Sequence, residues 1–229
     1  MSAYRDALAD EDAAIAVSPT ALGYAVRGAA QYYLGNDPRA IDDENKALGL
    51  DPKDDFANAY RGAAYFDSDR YDDAIKDETT ALAAKKTSFR YGIRGAAQFY
   101  KGQDKAAIED ETAAINLDGQ YTFALSYRGA AYYDLEEYDK SIADETTALG
   151  IDDKYGFALA YRGVARFGKG DYKGALSDEN LAIVIGKSNF RYRIRGEAKF
   201  MLGDYAGAFS DENAALDLDK KDDVALAYR

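Results

Sequence analysis

Residues 55–87 read DFANAYRGAAYFDSDRYDDAIKDETTALAAKKT, and residues 88–121 read SFRYGIRGAAQFYKGQDKAAIEDETAAINLDGQY. Laid over one another, the two stretches share Arg-Gly-Ala-Ala near the start and Asp-Glu-Thr in the second half. The Asp-Glu pair recurs along the whole chain, with its glutamates at Glu11, Glu44, Glu78, Glu111, Glu145, Glu179 and Glu212, spaced by 33, 34, 33, 34, 34 and 33 residues. The Arg-Gly pair recurs at Arg27, Arg61, Arg94, Arg128, Arg162 and Arg195 in the same phase. A fixed period of this length is the signature of a repeat array, whose units bury apolar surface by stacking on their neighbours.

Each unit reads as two helices. Phe56, Ala59, Tyr60, Ala63, Ala64 and Phe66 fall at three- and four-residue steps, the period of an apolar stripe on a helix. Residues 67–70 break the pattern, and Tyr71, Ala74, Ile75, Thr79, Ala81 and Leu82 start a second, alanine-rich stripe. Gly35, Gly102, Gly170 and Gly203 supply residues that tolerate a left-handed cap, and Asp37-Pro38 reads as an N-cap followed by proline in the first turn. The expected organisation is one array over residues 1–229. A second-helix half repeat at 1–20 precedes full repeats at 21–54, 55–87, 88–121, 122–155, 156–188 and 189–222, and a further repeat starts at 223–229.

Composition excludes much chemistry. The chain has 229 residues, 29 Lys and Arg against 41 Asp and Glu, a formal charge of −12, and neither Cys nor His. There is no thiolate or imidazole for metal binding or for acid–base work near neutrality. No catalytic residue, cofactor or metal site is expected. A net acidic field disfavours nucleic acid and anionic membranes as partners, and no apolar run approaches the roughly 20 residues that span a bilayer. The start of the sequence carries no export signal, so a cytoplasmic location is favoured. Acidic clusters such as Asp42-Asp43-Glu44 and Asp72-Asp73 lack the spacing of a calcium loop and read as solvated turns.

The arginine column sits beside the apolar seam, as do the Asp-Glu pairs. The simplest account pairs each arginine with the aspartate of its own unit, the glutamate of the preceding unit, or both, because a guanidinium satisfies two carboxylates well. This gives structural pairs Arg27 with Asp43, Arg61 with Asp77, Arg94 with Asp110, Arg128 with Asp144, Arg162 with Asp178 and Arg195 with Asp211. Arg229 continues the column. Such pairs can hold register in an array of near-identical helices.

The pattern Gly62, Tyr65, Tyr71, Ala74-Ile75 and Ala81-Leu82, repeated as Gly129, Tyr132, Tyr138, Ile142 and Ala148-Leu149, resembles that of the tetratricopeptide repeat (TPR) family over essentially the whole chain. The chain departs from it in having no Trp and in carrying Glu where the family usually places an aromatic on the second helix. The resemblance implies an all-α, right-handed superhelical solenoid of antiparallel helix pairs, with the first helices lining the inner face. It also implies a non-catalytic scaffold that binds a protein or peptide segment. On that face it places Phe56, Phe66, Phe89, Phe99, Tyr100, Phe123, Tyr133, Phe157 and Phe167, with Arg193 in the last full unit. Arg191, Glu197 and Lys199 make that unit's first helix unusually charged. The Lys and Asn that clamp a C-terminal carboxylate in some members are replaced by Ala and Phe. The other reading is a structural array that forms homo-oligomers head to tail, residues 223–229 of one copy meeting residues 4–17 of the next.

Overall fold

The computed structural model describes residues 2–219. These residues form thirteen α-helices, and the chain divides into two compact units, Met1–Gly119 and Gln120–Arg229. The first unit holds α1 (Ser2–Val17), α2 (Ala21–Tyr33), α3 (Asp37–Leu50), α4 (Asp55–Asp67), α5 (Tyr71–Ala84), α6 (Ser88–Tyr100) and α7 (Asp104–Leu117). The second holds α8 (Thr122–Asp134), α9 (Tyr138–Ile151), α10 (Gly156–Gly168), α11 (Tyr172–Ile185), α12 (Asn189–Met201) and α13 (Tyr205–Leu218). Within each unit, consecutive helices pack against one another, so each is an all-α stack of helix hairpins. The head-to-tail reading, Arg229 and the repeat start at 223–229 lie outside the described residues.

Local chemistry sets the helix ends. Thr20, Asp54, Thr87 and Ser188 each accept a hydrogen bond from a first-turn backbone N–H of the helix that follows, which satisfies donors the helix cannot pair internally. Three-residue turns join the two helices of a hairpin, and each passes through a left-handed residue. Gly35, Gly102, Gly170 and Gly203 take φ between 68° and 84°, and Asp69 and Glu136 do the same at 59° and 60° without glycine's freedom. The N-cap of α3 is Asn36, not Asp37: Asp37 is already helical, Pro38 follows it in the first turn, and the cap makes no side-chain hydrogen bond. The carboxylate of Asp37 is thereby released from capping.

The core is built from small residues. Ala25, Ala40, Ala57, Ala63, Ala74 and Ala81 have no exposed surface, nor do Ala124, Ala130, Ala158 and Ala165 in the second unit. With methyl groups in the seam the helix backbones approach closely. Larger side chains such as Leu82, Ile93, Leu125 and Leu159 fill the gaps that remain.

Candidate functional site

Two layers of side chains distinguish the units, and the inner one lies in the seam of each hairpin. All six arginines bind the aspartate sixteen positions on, through two parallel bonds. Arg27 Nε donates to Asp43 Oδ2 at 2.7 Å and Nη2 to Oδ1 at 2.6 Å; for Arg61 and Asp77 the distances are 2.6 and 2.9 Å. Arg94 with Asp110, Arg128 with Asp144, Arg162 with Asp178 and Arg195 with Asp211 repeat the fork. In Arg27, Arg61, Arg94, Arg162 and Arg195 the third guanidinium nitrogen crosses to the previous hairpin, but not to its glutamate. It reaches the residue after it: Arg27 Nη1 donates to Asp12 at 2.7 Å, Arg61 to Asn45 at 2.7 Å and Arg195 to Asn180 at 2.9 Å.

The glutamates lie underneath, against the glycines. Glu44, Glu78, Glu111, Glu145 and Glu179 have no exposed surface and Glu212 almost none. A Cβ added at Gly28 would sit 2.4 Å from Glu44 Oε1, and one at Gly95 2.6 Å from Glu111 Oε1. Each glutamate therefore fills the notch its glycine leaves. Glu145 accepts a bond from Ser126 Oγ at 2.7 Å, while both carboxyl oxygens of Glu44, Glu78 and Glu179 lack a partner. Burial dominates their acidity: it pushes Glu44 up to about 10 and Glu179 up to about 8, and holds Glu78 and Glu145 well above the ordinary carboxylate range. Glu44 and Glu179 are therefore mostly neutral acids near pH 7.

The outer layer is an aromatic face in the first unit. Tyr33 stacks on Tyr4 with ring centroids 4.6 Å apart, and its hydroxyl lies 3.1 Å from that of Tyr60. Tyr60 also meets Phe56 at 4.6 Å and Phe89 at 5.5 Å, while Tyr32 lies 5.9 Å from Tyr60 and 6.4 Å from Phe89. The face opens into a pocket of about 220 Å³ bordered by Tyr4, Val26, Tyr33, Phe56 and Tyr60. A second, of about 260 Å³, lies between Phe56, Tyr60, Phe89 and Lys85. Tyr4, Tyr33 and Phe56 are exposed, so the rings are not used up by packing. Burial together with the neighbouring Asp67, Tyr33 and Asp37 raises the Tyr32 phenol above its ordinary value.

The residues expected on the inner face separate by environment. Phe56 and Tyr100 are exposed, and Phe89, Phe123, Tyr133, Phe157, Phe167 and Arg193 are partly buried. Phe66 and Phe99 keep 8% and 7% of their surface, so both are core side chains with little to offer a ligand. Phe56 and Phe89 are brought together through Tyr60; Phe66 and Tyr100 meet each other at 5.9 Å. In the second unit Phe123 and Phe157 flank Tyr127, and Tyr133 meets Tyr138. The charge on α12 is largely turned inward: Arg191 donates to the carbonyls of Ala182 and Gly186 at the end of α11, and Lys199 pairs with Asp211 at 2.8 Å. Arg193 lies 3.8 Å from Glu197.

Tyr4 and Tyr60 belong to the aromatic face and are not expected there from the sequence, which places Tyr60 in the buried stripe. One signal was present. The Tyr60 column contains Val26, Ile93, Tyr127, Tyr161 and Ile194, and a column that alternates aliphatic residues with hydroxyl-tipped rings marks a position at the edge of burial. Among the described residues no three acidic side chains converge as a metal site requires, and no helix is long and apolar enough to cross a membrane.

No protein-family model and no curated protein sequence matches the chain. Its structure is similar to that of the Cut9-Hcn1 hetero-tetramer of the APC/C, with a TM-score of 0.87 and 16% identity over 98% of this chain. The chain spans 45% of the length of that protein. It is also similar to YrrB, a TPR protein with an unusual peptide-binding site (TM-score 0.61, 22% identity, 77% of this chain and 92% of YrrB), and to MamA (TM-score 0.59, 26% identity, 69% of this chain and 93% of MamA). The structural neighbours are tetratricopeptide repeat proteins, and the fold is that all-α helical repeat array.

Proposed function

We propose that the chain is a non-catalytic scaffold that binds an extended peptide or protein segment on the aromatic face of the first unit. The observation that carries this reading is the run of rings from Tyr4 through Tyr33 and Tyr60 to Phe56, contiguous yet open at Tyr4, Tyr33 and Phe56. Rings that could pack away from water and do not are the anchors a partner buries. The printed description of YrrB as a peptide-binding repeat protein agrees with this use of the fold. The composition supplies neither Cys nor His, and the seam glutamates, with the Ser126 hydroxyl that Glu145 accepts from, are enclosed beneath helices, away from any substrate.

The test is selection of peptides from a randomised display library against the whole chain, followed by affinity measurement of the selected peptides. Phe56→Ala and Tyr60→Ala are expected to weaken binding by about 1–3 kcal/mol each, the range for a buried interface anchor. Unchanged affinity in both variants, with normal circular dichroism, would place the binding surface elsewhere.

A further inference from the structure

We propose that the α1 side of the aromatic face receives an α-helix of a partner polypeptide, one that carries Arg-Gly and then an aromatic residue five positions after the arginine. This rests on the reading of that face as a binding surface, and it names the form and chemistry of the segment bound there.

Tyr4, Ala7, Val26, Ala29, Ala30 and Tyr33 border the first pocket. Sixty-seven positions on stand Tyr71, Ala74, Ile93, Ala96, Ala97 and Tyr100, the same types except for Ile93. The rings pair alike: Tyr4 stacks on Tyr33 with planes 16° from parallel, and Tyr71 on Tyr100 with planes 11° from parallel. The second of these sockets is full. Phe66 of α4 lies 6.0 Å from Tyr71 and 5.9 Å from Tyr100, and Ala74, Ala96 and Ala97 have no exposed surface. Three hairpins of the second unit likewise set a ring near the end of the first helix against the ring that opens the second, Tyr133 with Tyr138, Phe167 with Tyr172 and Phe200 with Tyr205. Among the described residues no first helix stands before α1, and its socket is the open pocket of about 220 Å³.

The seam beside that socket is open in the same way. On α5, Ala74, Asp77, Glu78 and Ala81 are buried: Arg61 of α4 holds Asp77 at 2.6 and 2.9 Å, and Gly62 leaves the notch that Glu78 fills. Their counterparts on α1 are Ala7, Asp10, Glu11 and Ala14, of which Asp10 and Ala14 are exposed and Ala7 and Glu11 half-buried. A second helix that the fold leaves uncovered is expected to turn polar on that side. α1 instead keeps the whole set with which the array holds a first helix. α4 shows what fits: Arg61 reaches the aspartate, Gly62 admits the glutamate, and Phe66 lies against both rings. An extended segment cannot make these contacts, because it turns neighbouring residues to opposite faces while the arginine and the glycine are adjacent and must meet one helix. Charge selects the arginine, since a guanidinium meets the open Asp10 carboxylate through two parallel bonds.

The test is a fluorescence-anisotropy titration of the whole chain into a labelled, end-capped peptide of residues 55–68, the sequence of α4 with its caps. The peptide is expected to bind, and its Phe66→Ala and Arg61→norleucine forms to bind about tenfold more weakly each. In the Asp10→Asn chain the arginine and norleucine forms are expected to bind alike, and in the Tyr4→Ala chain the loss caused by Phe66→Ala should shrink to under about twofold. Asp153→Asn removes the same charge from an exposed position of the second unit and should keep the arginine preference, which separates a local fork from attraction to an acidic protein. No binding of the peptide, equal binding of its arginine and norleucine forms, or a preference that survives Asp10→Asn would each overturn the inference. So would a dimer in sedimentation of the chain alone that Asp10→Arg abolishes, because a second copy would then be the occupant. If the helix peptide fails while Phe56→Ala and Tyr60→Ala still weaken peptides selected from the display library, the face binds and only the helix is wrong. If those variants leave the selected peptides unchanged, the reading of the face falls as well.

Discussion

Glu44 and Gly28 show how one residue position determines another. A buried glutamate fits beneath the first helix only because the residue above it has no side chain, and the same notch recurs at Gly129 over Glu145, where an added Cβ would lie 2.6 Å from Oε1. Gly129→Ala is expected to cost about 1–3 kcal/mol as overpacking, read from the midpoint of urea unfolding. The same change in a Glu145→Ala background should cost less than in the wild type, because the obstructing carboxyl has gone. Additive losses would mean that the glycine serves some purpose other than clearance. The periodic spacing shows the glycine and glutamate columns in the sequence; their contact does not appear there, because it depends on the rotation of two helices about their own axes.

At the level of the element, the turns carry the stored strain. Glu136 holds φ at 60° where four of the other turns use glycine, so Glu136→Gly is expected to raise stability by about 1 kcal/mol in thermal or urea unfolding. No gain would indicate that the Glu136 side chain offsets the strain with contacts of its own. Phe99 makes the opposite case. It is 7% exposed on α6, so Phe99→Ala should lower stability by about 3–5 kcal/mol, and any loss of ligand should follow the loss of fold. The helices, their phase and the glycine turns are legible in the sequence because they depend on neighbours a few residues away. Whether a ring such as Phe99 or Phe56 faces the core or the groove is not legible, since both lie on the same apolar stripe and a small shift of the packed face decides between them. Asp37 departs from the expected cap for a related reason: two adjacent polar residues, Asn36 and Asp37, can each cap α3, and only the backbone path selects the first.

At the level of the whole molecule the buried acids set the response to pH. Glu44 is pushed up to about 10 and Glu179 up to about 8 by burial, while an unfolded glutamate ionises at about 4.3. Between these limits the folded state binds more protons than the unfolded state, so stability falls as pH rises from about 5 and levels off only above the folded values. Burial is the largest cause at Glu44, Asp54 and Asp43 add to it, and only Arg61 opposes. The melting temperature is expected to be highest in mild acid and to decline steadily into the alkaline range, with a shallower decline in Glu44→Gln. A melting temperature that is flat or rising between pH 6 and 9 would contradict neutral glutamates in the seam. The sequence by itself determined the repeat, the helix pairs and the partners available to each arginine, because these follow from periodicity and from which charges recur in phase. Only the tertiary structure decided that each arginine takes its own aspartate while the glutamate is buried under a glycine, where burial raises Glu44 and Glu179. It likewise decided which rings remain open on the aromatic face of the first unit, since burial and the meeting of successive hairpins exist only once the helices are packed.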